Sequence, residues 1–244
     1  MNLTFSKLLT TAFAFALSAL TAGAVSVTIP NASFETPSSP ATSSTNHSLV
    51  SGWFISASNN NVFGTASITS NFLSLGAASG NDYVFIDNTS TNNETITSSS
   101  SLAVIAPLTT YTLTVAIGNV KLSDGASFGA PGNVSFSLLA NGVSFATQSV
   151  SNGTVPNGTF EDFSLTYVTP ATSSIIGEDL TIQLASQNTS GGQYQPAFDN
   201  VTLDATALAE PTAAPEPGTL MLLISSGLTL CWWMRRRRLT AVAA

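Results

Sequence analysis

Apolar and polar residues alternate along much of the chain with the period of two that marks strands with one buried face. The clearest run is Tyr111-Thr112-Leu113-Thr114-Val115, which sets Tyr111, Leu113 and Val115 against Thr112 and Thr114. Phe163, Leu165 and Tyr167 recur in the same way within 160–168. Two more runs, 134–139 and 143–150, flank Asn141-Gly142. Both of those residues tolerate positive φ, so the pattern predicts a tight hairpin. Residues 82–87 differ, because Tyr83 and Phe85 alternate with Val84 and Ile86 and both faces are apolar. A strand buried on both sides is predicted there. Further strands are predicted at 25–29, within 49–58 and 62–68, and at 180–185 and 198–203, while 95–105 leads into a turn at Pro107. No stretch of the body sustains a helical period. Eight to ten short strands separated by turn signals predict an all-β, antiparallel β-sandwich.

The two ends break this pattern. Residues 1–24 have Lys7 ahead of an apolar stretch, 8–20, and end on Ala22-Gly23-Ala24, which predicts a secretory signal peptide. The sandwich is expected over 25–205. Residues 206–217 are rich in Ala, Thr, Pro and Glu and read as an extended linker. Gly218 to Met234 is a run of seventeen uncharged residues, at the short end of the roughly 17–25 that a membrane-spanning helix needs. Trp232 and Trp233 close it, and Arg235, Arg236, Arg237 and Arg238 open a basic tail, 235–244, expected on the cytoplasmic side. The body is therefore expected outside the cytoplasm.

Pro215-Glu216-Pro217, then an apolar helix, then four arginines, resembles the PEP-CTERM sorting signal of Gram-negative bacteria. The resemblance implies an exosortase as partner, a cut near Pro215-Glu216-Pro217, and an inner-membrane-anchored precursor that ends at the cell surface or outside the cell. The six residues after Arg238 depart from the pattern. The body, in turn, resembles the galactose-binding-like jelly roll. The residues that carry this likeness are Asn31-Ala32-Ser33-Phe34-Glu35, Gly52-Trp53, Tyr111 to Val115 with Gly118, and Phe198-Asp199-Asn200-Val201. That resemblance implies a structural Ca²⁺ held by Glu35 and Asp199. Calcium takes 6–8 oxygens, so carbonyls near Asn31 and Pro196 would have to contribute.

Charge narrows the partners. The chain has 13 acids and 6 bases. Lys7, the four arginines and Glu216 fall outside 25–215, which leaves that stretch twelve acids and Lys121, a net charge of −11. Such a surface repels nucleic acid, whose binding rests on Lys and Arg. The one cysteine, Cys231, lies in the apolar tail, so the body has no disulfide.

Candidate chemistry is sparse. His47, the one histidine, sits in a Ser/Thr-rich loop, and no Gly-x-Ser-x-Gly elbow accompanies it. Glu161-Asp162 and Glu178-Asp179 are adjacent pairs whose members point to opposite faces of a strand, so neither pair can flank one bond. Thr110, Thr112 and Thr114 form a row that a half-exposed strand face explains. Trp53 is expected in the core. Tyr194, in Gly191-Gly192-Gln193-Tyr194-Gln195, is the better candidate for contact with a ligand. The expectation is a non-catalytic surface or extracellular-matrix protein associated with exopolysaccharide. The alternative is a carbohydrate-binding module with a specific glycan.

Overall fold

The computed structural model describes residues 23–36, 50–56, 62–67, 77–87, 93–120, 132–188 and 195–208, together with 226, 228 and 229. The chain divides into two units, Met1–Leu208 and Ala209–Ala244. In the second, Ser226, Leu228 and Thr229 are helical. Among the described residues no helix is long and apolar enough to cross a membrane. Residues 1–22 of the signal peptide, Tyr194, Pro215-Glu216-Pro217 and Arg235 to Arg238 lie outside the described residues.

The first unit is an antiparallel sandwich, as its alternating pattern predicts. Among the described residues its strands are β1 Val25–Val27, β2 Trp53–Ser56, β3 Val62–Ser67, β4 Asp82–Asp87, β5 Asn93–Ser98 and β6 Ala103–Val104. They continue with β7 Thr109–Asn119, β8 Gly132–Ala140, β9 Val143–Ser151, β10 Phe160–Val168, β11 Asp179–Asn188 and β12 Pro196–Ala207. One sheet has the order β10-β7-β12-β4-β3, with β1 also on β12. The other has the order β2-β5-β11-β8-β9, with β6 on β11. The stretch 95–105, expected only to lead into the turn at Pro107, carries the end of β5 and all of β6, with Ser99–Leu102 between them.

The core lies between the sheets. Tyr111, Leu113, Val115 and Ile117 of β7 meet Phe136 and Leu138 of β8 and Leu180, Ile182 and Leu184 of β11 in one cluster. Trp53 is also there, 5.3 Å from the ring of Phe34, with its Nε1 donating to the carbonyl of Asn31 at 3.3 Å. The expected core role of Trp53 therefore holds. Thr110, Thr112 and Thr114 are half-buried on the other face of β7, where Thr114 shares a 2.8 Å hydrogen bond with Ser164. Glu161, Asp162 and Asp179 are exposed and Glu178 is half-buried.

The β8–β9 hairpin closes as expected. Ala140 pairs with Val143, leaving Asn141 (φ 48°) and Gly142 (φ 80°) as a two-residue turn with both φ positive, the type I′ signature. A Cβ at Gly142 would meet nothing within 4 Å. Gly142→Val should therefore cost only the backbone strain, about 1–2 kcal/mol. Thermal melting checks it, and an unchanged midpoint would contradict the turn type.

Candidate functional site

The outer face of the first sheet changes character along its strands. Toward one end it carries the threonines of β7. Toward the other, β7 offers only Ala116 and Gly118, and β12 offers Ala197 opposite Gly118. Phe160 of β10 pairs with Gly118 from the other side, and Phe85 of β4 pairs with Ala197. One row across four strands is thus Phe85, Ala197, Gly118, Phe160. The next row along the same face holds Tyr83, Asp199, Ala116 and Asp162, by the same registers and the alternation of strands.

These positions build a second apolar cluster, separate from the core: Tyr83, Phe85, Val120 and Ala197, with Ala77 and Phe160 packed on it. The rings of Tyr83 and Phe160 meet edge to face with centroids 5.7 Å apart, although β12 and β7 lie between their strands. Alanine and glycine on those strands make the meeting possible, because larger side chains would fill the space between the two walls. Tyr83 is fully buried, and its hydroxyl has no hydrogen-bond partner among the described residues. Burial pushes its phenol well above the usual range, so it stays neutral.

Asp199 sits at the edge of this cluster on a β-bulge. The β12–β7 register shifts between Asp199 and Thr202, Asn200 takes φ 46°, and the Val201 amide bonds to Ala32 of the first loop instead of to β7. Bulges re-aim side chains and gather near active sites. Here the bulge brings the end of the sheet against the N-terminal loop. Asp199 is fully buried. Its Oδ2 accepts from the Ser79 amide at 2.8 Å and its Oδ1 from the Asn200 amide at 2.6 Å. Burial pushes its carboxyl up to about 6, against the lowering effect of those amides and that of Ala78, with the charge of Glu35 adding a smaller rise. A carboxyl with this acidity is a usable proton donor near neutral pH.

Glu35 is the neighbouring acid, and its Oε1 accepts from the amides of Asn81 and Asp82 at 2.8 and 2.9 Å. Glu35 and Asp199 thus hold one loop, 77–82, which leads into Tyr83. The two acids expected to bind calcium are therefore brought together, but the oxygens around them do not fit that cation. Three of the four carboxylate oxygens face backbone N–H groups. The Asn31 carbonyl is turned to Phe34 N and Trp53 Nε1, and the Ala32 carbonyl to Val201 N. Among the described residues no group of three His, Cys, Asp or Glu could hold a metal ion. The set suits two amide-capped carboxylates. Any difference in melting temperature between calcium and chelator is accordingly expected to persist in a Glu35→Gln/Asp199→Asn double variant. Its disappearance there would restore the cation site.

A buried, weakly acidic carboxyl thus lies beside an aromatic wall and a floor of small residues, an arrangement chemically able to donate a proton in apolar surroundings. Residues 25–204 match the HpiC1-like family, HpiC1 cyclase, and the chain belongs to that family. A crystal structure of a cyclase from Fischerella sp. TAU is similar over 77% of this chain and 100% of that one, with 26% identity and a TM-score of 0.58. The same organism's cyclase in complex with 4-(1H-indol-3-yl)butan-2-one gives 26% identity, a TM-score of 0.60, and coverage of 76% and 100%. The Stig cyclase Fisc from that organism, in complex with (3Z)-3-(1-methyl-2-pyrrolidinylidene)-3H-indole, is 25% identical with a TM-score of 0.58, over 76% and 100%. No curated protein matches the sequence.

These matches overturn the expectation of a non-catalytic surface protein, and the glycan-binding alternative falls with it. The case against catalysis rested on His47 lacking a nucleophile elbow and on acid pairs that cannot flank one bond, so that neither a histidine base nor a carboxylate pair was in place. A reaction that needs one proton donor in an apolar setting uses neither. Asp199 was singled out, but for a metal and not for its acidity. Tyr83, Phe85 and Phe160 were read only as strand residues.

Proposed function

We propose that this chain is a cyclase that closes a ring by general-acid catalysis, with Asp199 as the acid. The observation that carries the reading is the burial of Asp199, its carboxyl raised to about 6, on the same sheet face as the Tyr83–Phe160 pair. The substrate class is an apolar molecule bearing an aromatic ring and a carbon–carbon double bond. Indole is the favoured ring, because two of the similar cyclases are seen with indole compounds. Asp199 gives its proton to the double bond. The π electrons of the aromatic ring attack the resulting carbocation and form the new carbon–carbon bond. A ring proton then returns to the Asp199 carboxylate, so the product is an isomer of the substrate. Tyr83 and Phe160 hold the ring and face the cation with their π electrons, an attraction of about 0.5–2 kcal/mol for each favourable contact. Apolar surroundings keep water from capturing the cation.

Incubating the full chain with an indole bearing a tethered alkene tests this. The expected product has unchanged mass and a new ring by NMR. A hydrated product, heavier by one water, or recovery of the substrate from a folded protein would contradict it.

We further propose that Pro215-Glu216-Pro217 and Arg235 to Arg238 act as an exosortase sorting signal behind an exported body. The order of motif, uncharged run and arginines supports this, together with the signal-peptide pattern of 1–24. Glu216→Ala should then leave uncut precursor in the inner membrane. Mass spectrometry finding Arg235 to Arg238 intact on the surface form would contradict it.

A further inference from the structure

On the outer face of the first sheet the cyclase reading leaves the buried amide of Gln195 without a task. Gln195 precedes β12, is 5% exposed, and its Oε1 has no hydrogen-bond partner among the described residues. β12 pairs Pro196 with Asn119 and Ala197 with Gly118. Continuing that register by one residue sets Gln195 opposite Val120, a fully buried member of the outer cluster. Continuing the alternation of β12 sets Gln195 on the side of Ala197 and Asp199. The carboxyl of Asp199 and the amide of Gln195 thus bracket the aromatic row of Phe85 and Phe160. They stand four residues apart on one strand face, roughly 13 Å at about 3.3 Å per residue.

An acceptor buried without a donor costs about 1–3 kcal/mol, and folding has no use for it here. A ligand that carries a donor removes that cost when it binds. We infer that Gln195 is a specificity-determining residue whose Oε1 accepts a hydrogen bond from an N–H of the substrate. The ligand class is therefore an N–H heteroaromatic, with its N–H at the Gln195 end and its reacting double bond toward Asp199. Tyr83, neutral and also unpartnered, can donate to an acceptor on the same ligand. A site built on such an acceptor discriminates by penalty as well as by attraction, since a ligand without the N–H leaves Oε1 buried and unpaired. This inference rests on the cyclase reading only in taking an aromatic ligand at this face.

The test compares two probes on the full chain by isothermal titration. One is 4-(1H-indol-3-yl)butan-2-one, the compound seen with the Fischerella cyclase. The other is its benzothiophene counterpart, in which sulfur replaces the N–H at nearly the same size. The parent protein should bind the indole about tenfold more tightly or better. Gln195→Met, similar in length but without the oxygen, should bind both alike, and Gln195→Glu, which keeps an acceptor, should retain the preference. Equal binding of the two probes by the parent overturns the inference and leaves the aromatic-ligand reading standing, as does an undiminished preference in Gln195→Met. Should Gln195→Met not fold, the parent's own ratio and that of Gln195→Glu decide. Failure of the parent to bind either probe overturns both readings.

Discussion

Asp199→Asn is expected to slow cyclisation roughly 10²–10⁴-fold, the usual worth of a general acid, in a protein that still folds. Asparagine keeps one oxygen for the Ser79 amide and loses both the proton that the reaction needs and the acceptor of the adjacent Asn200 amide, a local cost that the fold can absorb. The pH dependence follows from the same group. The carboxyl must be protonated to act, and burial first, then the charge of Glu35, pushes it up to about 6. kcat/KM should therefore be level below pH 6 and fall about tenfold per pH unit above it. The residual rate of Asp199→Asn should show no such fall. A rate that rises through pH 6 would mean that Asp199 acts as a base and would reverse its assigned role.

Gly80→Val should be the most damaging single substitution on the loop before β4. Gly80 has φ 69°, and a Cβ there would overlap the carboxyl of Glu35. Two costs add: the left-handed backbone, about 1–2 kcal/mol, and the eviction of Glu35 from two charge-assisted bonds, about 1.5–3 kcal/mol each. Allowing for partial relaxation, the loss should be about 3 kcal/mol or more, or roughly 6–12 °C in melting temperature for a domain of this size. Gly142→Val is the matched control, with the same backbone strain in open space. The two losses should differ by the Glu35 contribution alone. Gly80→Val should also lower activity, because the same loop supplies the Ser79 amide to Asp199 and leads into Tyr83. Equal melting temperatures for the two variants would show that Glu35 does not hold this loop.

Much of the sandwich was legible in the chain. β4 and β10 have the bounds that their patterns predict, and the hairpin turn sits on Asn141-Gly142. These features are local: alternation and turn chemistry need no knowledge of distant residues. The site was less legible because it is made by register. Phe85, Ala197, Gly118 and Phe160 come from four strands, and only the sheet order puts them in one row. Two signals were nevertheless present. A strand of an antiparallel sandwich ordinarily has one polar face, and β4 has none, because one side meets the core and the other the Tyr83 cluster. Along β7 the outward positions pass from threonine at 110, 112 and 114 to Ala116 and Gly118. That change marks where a floor of small residues replaces a solvated face. The role of Glu35 and Asp199 was open in the sequence for a different reason. A calcium shell and a pair of amide-capped carboxylates use the same residue types, and only the direction of the surrounding N–H and C=O groups separates them.

The most direct test of the central claim, that this outer face of the sheet is the active site, is a crystal structure of the chain with 4-(1H-indol-3-yl)butan-2-one. The ring should lie between Tyr83 and Phe160, over Ala116, Gly118 and Ala197 and within reach of the Asp199 carboxyl. The probe found ordered on the other sheet, with the Tyr83–Phe160 pair undisturbed, would contradict the account.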